Sequence, residues 1–241
     1  MTEEEKVKIR NGIETVLENR RLAAERVGRN PEDIRVVLAT KTRSAEEINF
    51  ALTCGVCEIG ENRVQELLQK NAGHAYDGAR LHFIGHLQKN KVRQIVGLVE
   101  LIHSADSEAL LREIDRVAAS RGVVQDVLLE VNIAGESAKS GFAPEEIPAA
   151  IAFAGGLEAV RVRGLMAVPP ICACGEENRP YFARMNQLFI DNGEKKYDNV
   201  HMDFLSMGMS GDYKSAIKEG ATMVRVGTAI FGARPAAVAR A

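Results

Sequence analysis

Lys41 stands in the stretch VVLATKTRS, Val36–Ser44, directly after a run of apolar residues. Lysine is seldom fully buried without a partner. An amine at the tip of a buried strand can be desolvated enough to stay unprotonated and attack a carbonyl carbon. The bland alternative is a solvated lysine in a surface loop. Two stretches near the C-terminus suit an anion. In SMGMSGDY, Ser206–Tyr213, Ser210 lies between Gly208 and Gly211, and in VRVGTAIFG, Val224–Gly232, Gly227 is followed by Thr228. Each opens a predicted helix, whose N-terminus offers free backbone N–H groups and a positive dipole end. Glycine lets that backbone come close, although most such loops are only turns. Arg225 lies two residues before Gly227, so on a strand both side chains point the same way. An inward arginine needs an acceptor, and Glu61 is a candidate for an ion pair with it. A nucleophilic amine, an anion cradle and a fixed cation together suit a phosphate-bearing aldehyde, and pyridoxal 5′-phosphate (PLP) is the obvious one.

These residues must be brought together by the elements that carry them. Short apolar runs mark eight strands: Arg35–Thr40, Val56–Ile59, Leu81–Ile84, Val99–His103, Asp126–Asn132, Val160–Val168, His201–Leu205 and Met223–Val226. Helical patterns lie between them, at Ala45–Thr53, Arg63–Asn71, Gln88–Val96, Ser107–Arg121, Pro144–Ala154, Pro180–Asn192 and Gly211–Glu219. An extra N-terminal helix is expected from Glu3 to about Val27, ended by Gly28 and Pro31. Strands alternating with helices imply parallel pairing, and eight of them imply a closed (β/α)₈ TIM barrel. A doubly wound open sheet would want a glycine-rich loop after its first strand, and ATKTRS has none. The chain reads as a single domain over 1–241, with the N-terminal helix in 1–30 and the barrel in 35–235. In such barrels the working face lies at the C-terminal ends of the strands. Lys41 falls there, followed by Ser44–Glu47 as a capping box. Asn62, His86 and Met166 fall at the tips of strands 2, 3 and 6.

Composition excludes several classes. The 241 residues carry 31 basic and 33 acidic side chains, a formal charge of −2, so no nucleic-acid footprint is expected. KNKVR, Lys89–Arg93, reads as a solvated helix face. No apolar run reaches the roughly 20 residues that span a bilayer, and the charged N-terminus is not a signal peptide, so the expected location is cytoplasmic. Of four cysteines, Cys54 and Cys57 precede strand 2 while Cys172 and Cys174 follow strand 6. The pairs fall at opposite faces, so no shared zinc site is expected, and Cys57 is expected to enter strand 2.

ATKT around Lys41, GENRVQE at Gly60–Glu66, HFIGHLQKNK at His82–Lys91, SMGMSGDY and VRVGTAIFGAR resemble the PLP-binding family usually called the YggS or PLP homeostasis protein family. The resemblance runs from about residue 5 to 235. It implies a fold-type III PLP barrel, similar to the N-terminal domain of alanine racemase. It also implies a carrier or homeostasis role without established catalysis, with PLP-accepting apoenzymes as further partners. On the matching motifs, Lys41 would form the Schiff base, Ser210, Gly227 and Thr228 would hold the phosphate, and Arg225 would face the ring nitrogen. Asn62 would lie beside the cofactor, with His86 and Met166 as pocket lining, and Ser206 is assigned to the cofactor site with them. A monomer or weak dimer is expected. ICACGEENR, Ile171–Arg179, matches no motif of the family. The alternatives are an amino-acid racemase or decarboxylase on the same barrel, or a phosphosugar enzyme using Lys41. A racemase would need a second proton-transfer group opposite Lys41 and a second, closing domain. The sequence offers neither, and Tyr213 is the nearest candidate base. Arginine has donors only. At the ring nitrogen it would keep that nitrogen unprotonated and weaken the electron sink.

Overall fold

The computed structural model describes residues 1–170, 174–194 and 196–232. Eight parallel strands close on themselves in sequence order: β1 (Arg35–Ala39), β2 (Glu58–Glu61), β3 (Arg80–Phe83), β4 (Leu101–Ala105), β5 (Gln125–Val131), β6 (Val160–Ala167), β7 (Val200–Met209) and β8 (Met223–Val226). Closure is explicit, because β1 pairs with β2 on one side and with β8 on the other. The helices are α1 (Glu3–Glu25), α2 (Ala45–Thr53), α3 (Val64–Ala72), α4 (Val92–Ile95), α5 (Glu108–Ser120), α6 (Ile147–Gly155), α7 (Arg179–Asp191), α8 (Tyr213–Lys218) and α9 (Thr228–Phe231).

Local chemistry explains where these elements start. Thr2 and Glu5 close a capping box on α1, and Ser44 and Glu47 close the expected one on α2. Each box satisfies backbone N–H groups that a helix start leaves orphaned. The predicted helix Gln88–Val96 is broken. A 3₁₀ turn at Lys89–Lys91 leads into the short α4, and neither Gln88 nor Lys91 makes a side-chain cap. Strand 2 begins later than its apolar residues suggest, because Gly55 turns the chain at φ +89 and the buried Glu58 and Glu61 complete the strand. Cys57 is therefore exposed ahead of β2 rather than inside it. Cys172 lies outside the described residues.

The hydrophobic core has two parts. A small cluster of Val37, Leu101, Leu128, Met166 and Met223 fills the barrel interior, while the larger one lies between strands and helices. Each fully buried Leu or Ile contributes about 1.5–3 kcal/mol relative to exposure. Helix α1 packs across α8 and α9, so tightly that a Cβ on Gly12 would come within 2.7 Å of the Ile230 carbonyl oxygen.

Candidate functional site

An open cavity of about 420 Å³ lies at the C-terminal ends of the strands. Lys41, Asn62, Ser210, Arg225, Gly227 and Thr228 line it, with Ala39, Ile84, Val168, Met209 and Gly211. A second lobe of about 280 Å³ shares Asn62, Ile84 and Val168, and adds His86, Glu130, Asn132, Lys139 and Met166 among its walls. Of the nine site residues read from the sequence, eight therefore line these two joined lobes. Ser206 is the ninth. It is fully buried beneath the cavity and touches it only through Arg225.

Lys41 is carried on a turn held from below. Thr42 takes a left-handed φ of 66°, uncommon for a β-branched residue. Its N–H donates to Glu66 Oε1 at 2.5 Å. Lys70 Nζ donates to the Thr40 carbonyl at 2.8 Å, to Glu66 at 2.6 Å and to the buried Glu61 at 2.8 Å. Glu61 also accepts from Thr40 Oγ1 at 2.6 Å and Tyr76 OH at 3.0 Å. The expected Glu61–Arg225 pair is thus not formed. Along β2 successive side chains alternate, so Glu61 faces α3 while Asn62 faces the cavity.

Arg225 instead donates to Ser206 Oγ at 2.5 Å and to the Ala167 carbonyl at 2.9 Å. Burial pushes its pKa down to about 10, with Glu130 and Asp212 opposing the shift. It remains a cation at neutral pH.

The two glycine loops form one cradle. Ser210 Oγ accepts from the N–H groups of Gly227 at 3.1 Å and Ala229 at 3.2 Å, which ties the β7 and β8 tips together. Gly208 needs its glycine, since φ is +90 and a Cβ would meet the Ala216 Cβ at 2.6 Å. Asp212 Oδ1 accepts from the Met209 N–H at 2.6 Å, and its Oδ2 accepts from Asn178 Nδ2 at 2.8 Å. The acidic segment before α7 is thereby pinned against the cradle, although Ile171–Ala173 lie outside the described residues.

His86 sits on the rim, 59% exposed at its side chain, 3.2 Å from both Asp106 Oδ2 and Ser140 Oγ. Tyr213 does not face Lys41. It is buried with its hydroxyl beside Asn19 of α1, and burial raises its pKa. Glu130 went unnoticed in the sequence. It lies on β5, four strands from β1 in the closed order and so across the barrel from Lys41. Burial, then the nearby Asp106, push its carboxyl up to about 7, while Arg225 pulls it down. The signal is an acidic residue two positions from both Leu128 and Asn132, and so on one face with them, at the C-terminal end of the strand.

The residues present fit PLP. Asn62 Oδ1 is a buried acceptor with no hydrogen-bond partner among the described residues, on the wall of a cavity that also carries an amine, a cation and a backbone cradle.

This barrel, with its functional face at the strand tips, is the fold of the alanine racemase N-terminal domain, a fold-type III PLP fold. The model of that family, described as "Alanine racemase, N-terminal domain", matches residues 13–235. Within it, the chain belongs to the family of pyridoxal phosphate homeostasis proteins. It is 43% identical to the pyridoxal phosphate homeostasis protein of Aquifex aeolicus over 222 residues, which cover 92% of this chain and 96% of that one. A crystal structure of an unknown protein from Bifidobacterium adolescentis is 36% identical with a TM-score of 0.87, covering 95% of this chain and 97% of its own. The structure of PipY from Synechococcus elongatus with PLP bound is 32% identical with a TM-score of 0.76, covering 89% of this chain and 99% of its own.

Proposed function

We propose that this chain binds PLP through Lys41 and serves PLP homeostasis as a carrier or reservoir, passing the cofactor to recipient apoenzymes. The observation that carries this reading is the convergence of Lys41, the Ser210–Gly227 cradle and Arg225 on one open cavity. The PLP-bound PipY and the likeness to pyridoxal phosphate homeostasis proteins support it.

Each residue has a role that follows from its chemistry. Lys41 would hold the cofactor through its Nζ, the amine that a carbonyl carbon would take up in a carbon–nitrogen bond with loss of water. The cradle loops present backbone N–H groups and the Thr228 hydroxyl to the phosphate. Arg225 offers donors only and so favours an unprotonated ring nitrogen. When bound, PLP supplies an electron sink, at full strength only with that nitrogen protonated. Asn62, whose buried Oδ1 lacks a partner among the described residues, would offer the cofactor a hydrogen bond from the cavity wall. Cys54, Cys57 and Cys174 are unpaired, which fits a reducing cytoplasm.

A second reading, a racemase or decarboxylase, draws on Glu130, whose carboxyl titrates near neutrality across the cavity from Lys41. Arg225 weighs against it. The carrier reading expects one PLP per chain in equilibrium dialysis. It expects binding at least about tenfold weaker in Ser210→Asp, which sets a carboxylate in the cradle. Unchanged affinity in that variant would remove the cradle from the account. Sustained racemisation of any L-amino acid by the loaded protein, lost in Glu130→Gln, would favour the second reading.

A further inference from the structure

The barrel interior holds a line of polar side chains that the proposed function does not use. His82 and His103, on β3 and β4, are 1% and 0% exposed, and Ser206 on β7 is 0% exposed. His82 Nδ1 lies 2.9 Å from His103 Nε2, and His103 Nδ1 lies 3.0 Å from Ser206 Oγ. Ser206 Oγ in turn meets Arg225 Nη1. At the other end, His82 Nε2 and Glu58 Oε2 face each other at 3.6 Å, and neither has a hydrogen-bond partner among the described residues. Arg35 and Arg80 stand 3.2 and 3.4 Å from Glu58 Oε1 at the N-terminal rim of the barrel. The line therefore crosses the barrel from its base to the floor of the cavity.

Donor and acceptor counting gives the line a direction. Arginine can only donate, so Ser206 Oγ accepts from Arg225; the buried hydroxyl has one other polar neighbour among the described residues, His103 Nδ1, and its single proton goes there. His103 then carries its proton on Nε2 and donates to His82 Nδ1. His82 in turn is protonated on Nε2, and that N–H faces Glu58 Oε2 across 3.6 Å, an electrostatic contact longer than a hydrogen bond. Every dipole points the same way, from the guanidinium to the carboxylate. The direction needs both rings neutral. Burial supplies this, pushing His82 down to about 3 and His103 well below the usual imidazole range. Burial also raises the Glu58 carboxyl, while the two rim guanidiniums favour its ionised form.

We infer that His82, His103 and Ser206 form a directional hydrogen-bonded relay, with the Glu58 carboxylate facing its far end, that holds the Arg225 guanidinium at the cavity floor, making His103 and Ser206 positioning residues for that cation. With one arm on Ser206 and the other on the Ala167 carbonyl, Arg225 has two fixed points, and its remaining N–H groups are left for the cavity. The consequence for the ring nitrogen rests on the proposed function; the relay itself does not.

The test begins on the apo protein. A long-range ¹H–¹⁵N spectrum at neutral pH is expected to show His82 and His103 neutral and both protonated on Nε2. A cationic ring, or His103 protonated on Nδ1, overturns the relay whatever any variant does. In Ser206→Ala, the guanidinium protons of Arg225 are expected to exchange about tenfold faster or more, the scale of one lost charge-assisted hydrogen bond. Unchanged exchange in that folded variant also overturns it, and His103→Gln provides an independent break in the line with the same expectation. The loaded protein gives a further readout. With Arg225 released, the ring nitrogen gains a proton more readily, and the pH midpoint of its titration in the bound chromophore is expected to move up in Ser206→Ala. If the apo results hold and no PLP binds, the functional reading fails and the relay stands. If PLP binds and neither Arg225 exchange nor the midpoint moves, the relay alone fails.

Discussion

Glu130 shows how a single residue's surroundings set its chemistry. Its carboxyl is raised to about 7 by burial and by Asp106, against an unfolded value of about 4.3. The folded protein thus binds the proton more tightly than the unfolded chain. The associated stability is fully present below about pH 4 and is lost as pH rises through about 7. Glu130→Gln is expected to flatten that loss, which is on the order of 4 kcal/mol. Urea denaturation at several pH values measures it, and parallel curves for the two proteins would contradict the assignment. The half-buried Lys70 makes a second case. It compensates Glu61, which is 0% exposed, and breaking such a buried pair from one side costs about 3–5 kcal/mol. Lys70→Met should approach that loss, whereas Arg21→Met on the exposed face of α1 should cost less than about 1 kcal/mol. Equal effects would mean the Lys41 turn is not held from below. Lys41, Ser210 and Arg225 were legible because their types are unusual at strand tips. Glu130 and the His82–His103 pair were not, because an inward polar residue cannot be told from an outward one without the register.

At the scale of elements, the alternation of apolar runs and helical patterns located all eight strands, with β8 placed at Met223–Val226 as expected. Capping chemistry gave the start of α2 to the residue. What escaped the sequence were the register shifts, as between Ile102 and Ala105 on β4 and between Val162 and Gly164 on β6. Each shift changes which residues face inward, so strict alternation fails past it. The partners of the acidic residues of β2 escaped for a related reason, and Glu61, expected to pair with Arg225, pairs with Lys70. Glu58 and Glu61 are buried only because Arg35, Arg80 and Lys70 reach them from other segments. Helix α1 yields a prediction that reverses the usual rule. Gly→Ala inside a helix normally stabilises by roughly 0.8–1.0 kcal/mol. At Gly12 the new Cβ would fall 2.7 Å from the Ile230 carbonyl oxygen and 2.8 Å from its Cα, both backbone atoms. Gly12→Ala is therefore expected to lower the thermal midpoint, and a raised midpoint would mean that α1 does not pack on α9 as described.

For the whole molecule, the barrel brings residues from distant parts of the chain, Lys41 on one side and Ser210 to Thr228 on the other, to one mouth because β1 closes against β8. That closure is why the site could be assembled from sequence once the fold class was read. No helix among the described residues is long and apolar enough to cross a membrane. An open mouth leaves a bound cofactor partly solvated, which weakens electrostatic catalysis and eases exchange, as a carrier requires. The central claim is that Lys41 holds PLP covalently, and borohydride reduction of the loaded protein followed by peptide mapping tests it most directly. The account predicts a pyridoxyl group on Lys41 at a stoichiometry of about one per chain, with no reducible adduct in Lys41→Ala even where PLP still binds through its phosphate. A pyridoxyl group mapped to another lysine, or the same reducible adduct at full yield in Lys41→Ala, would contradict it.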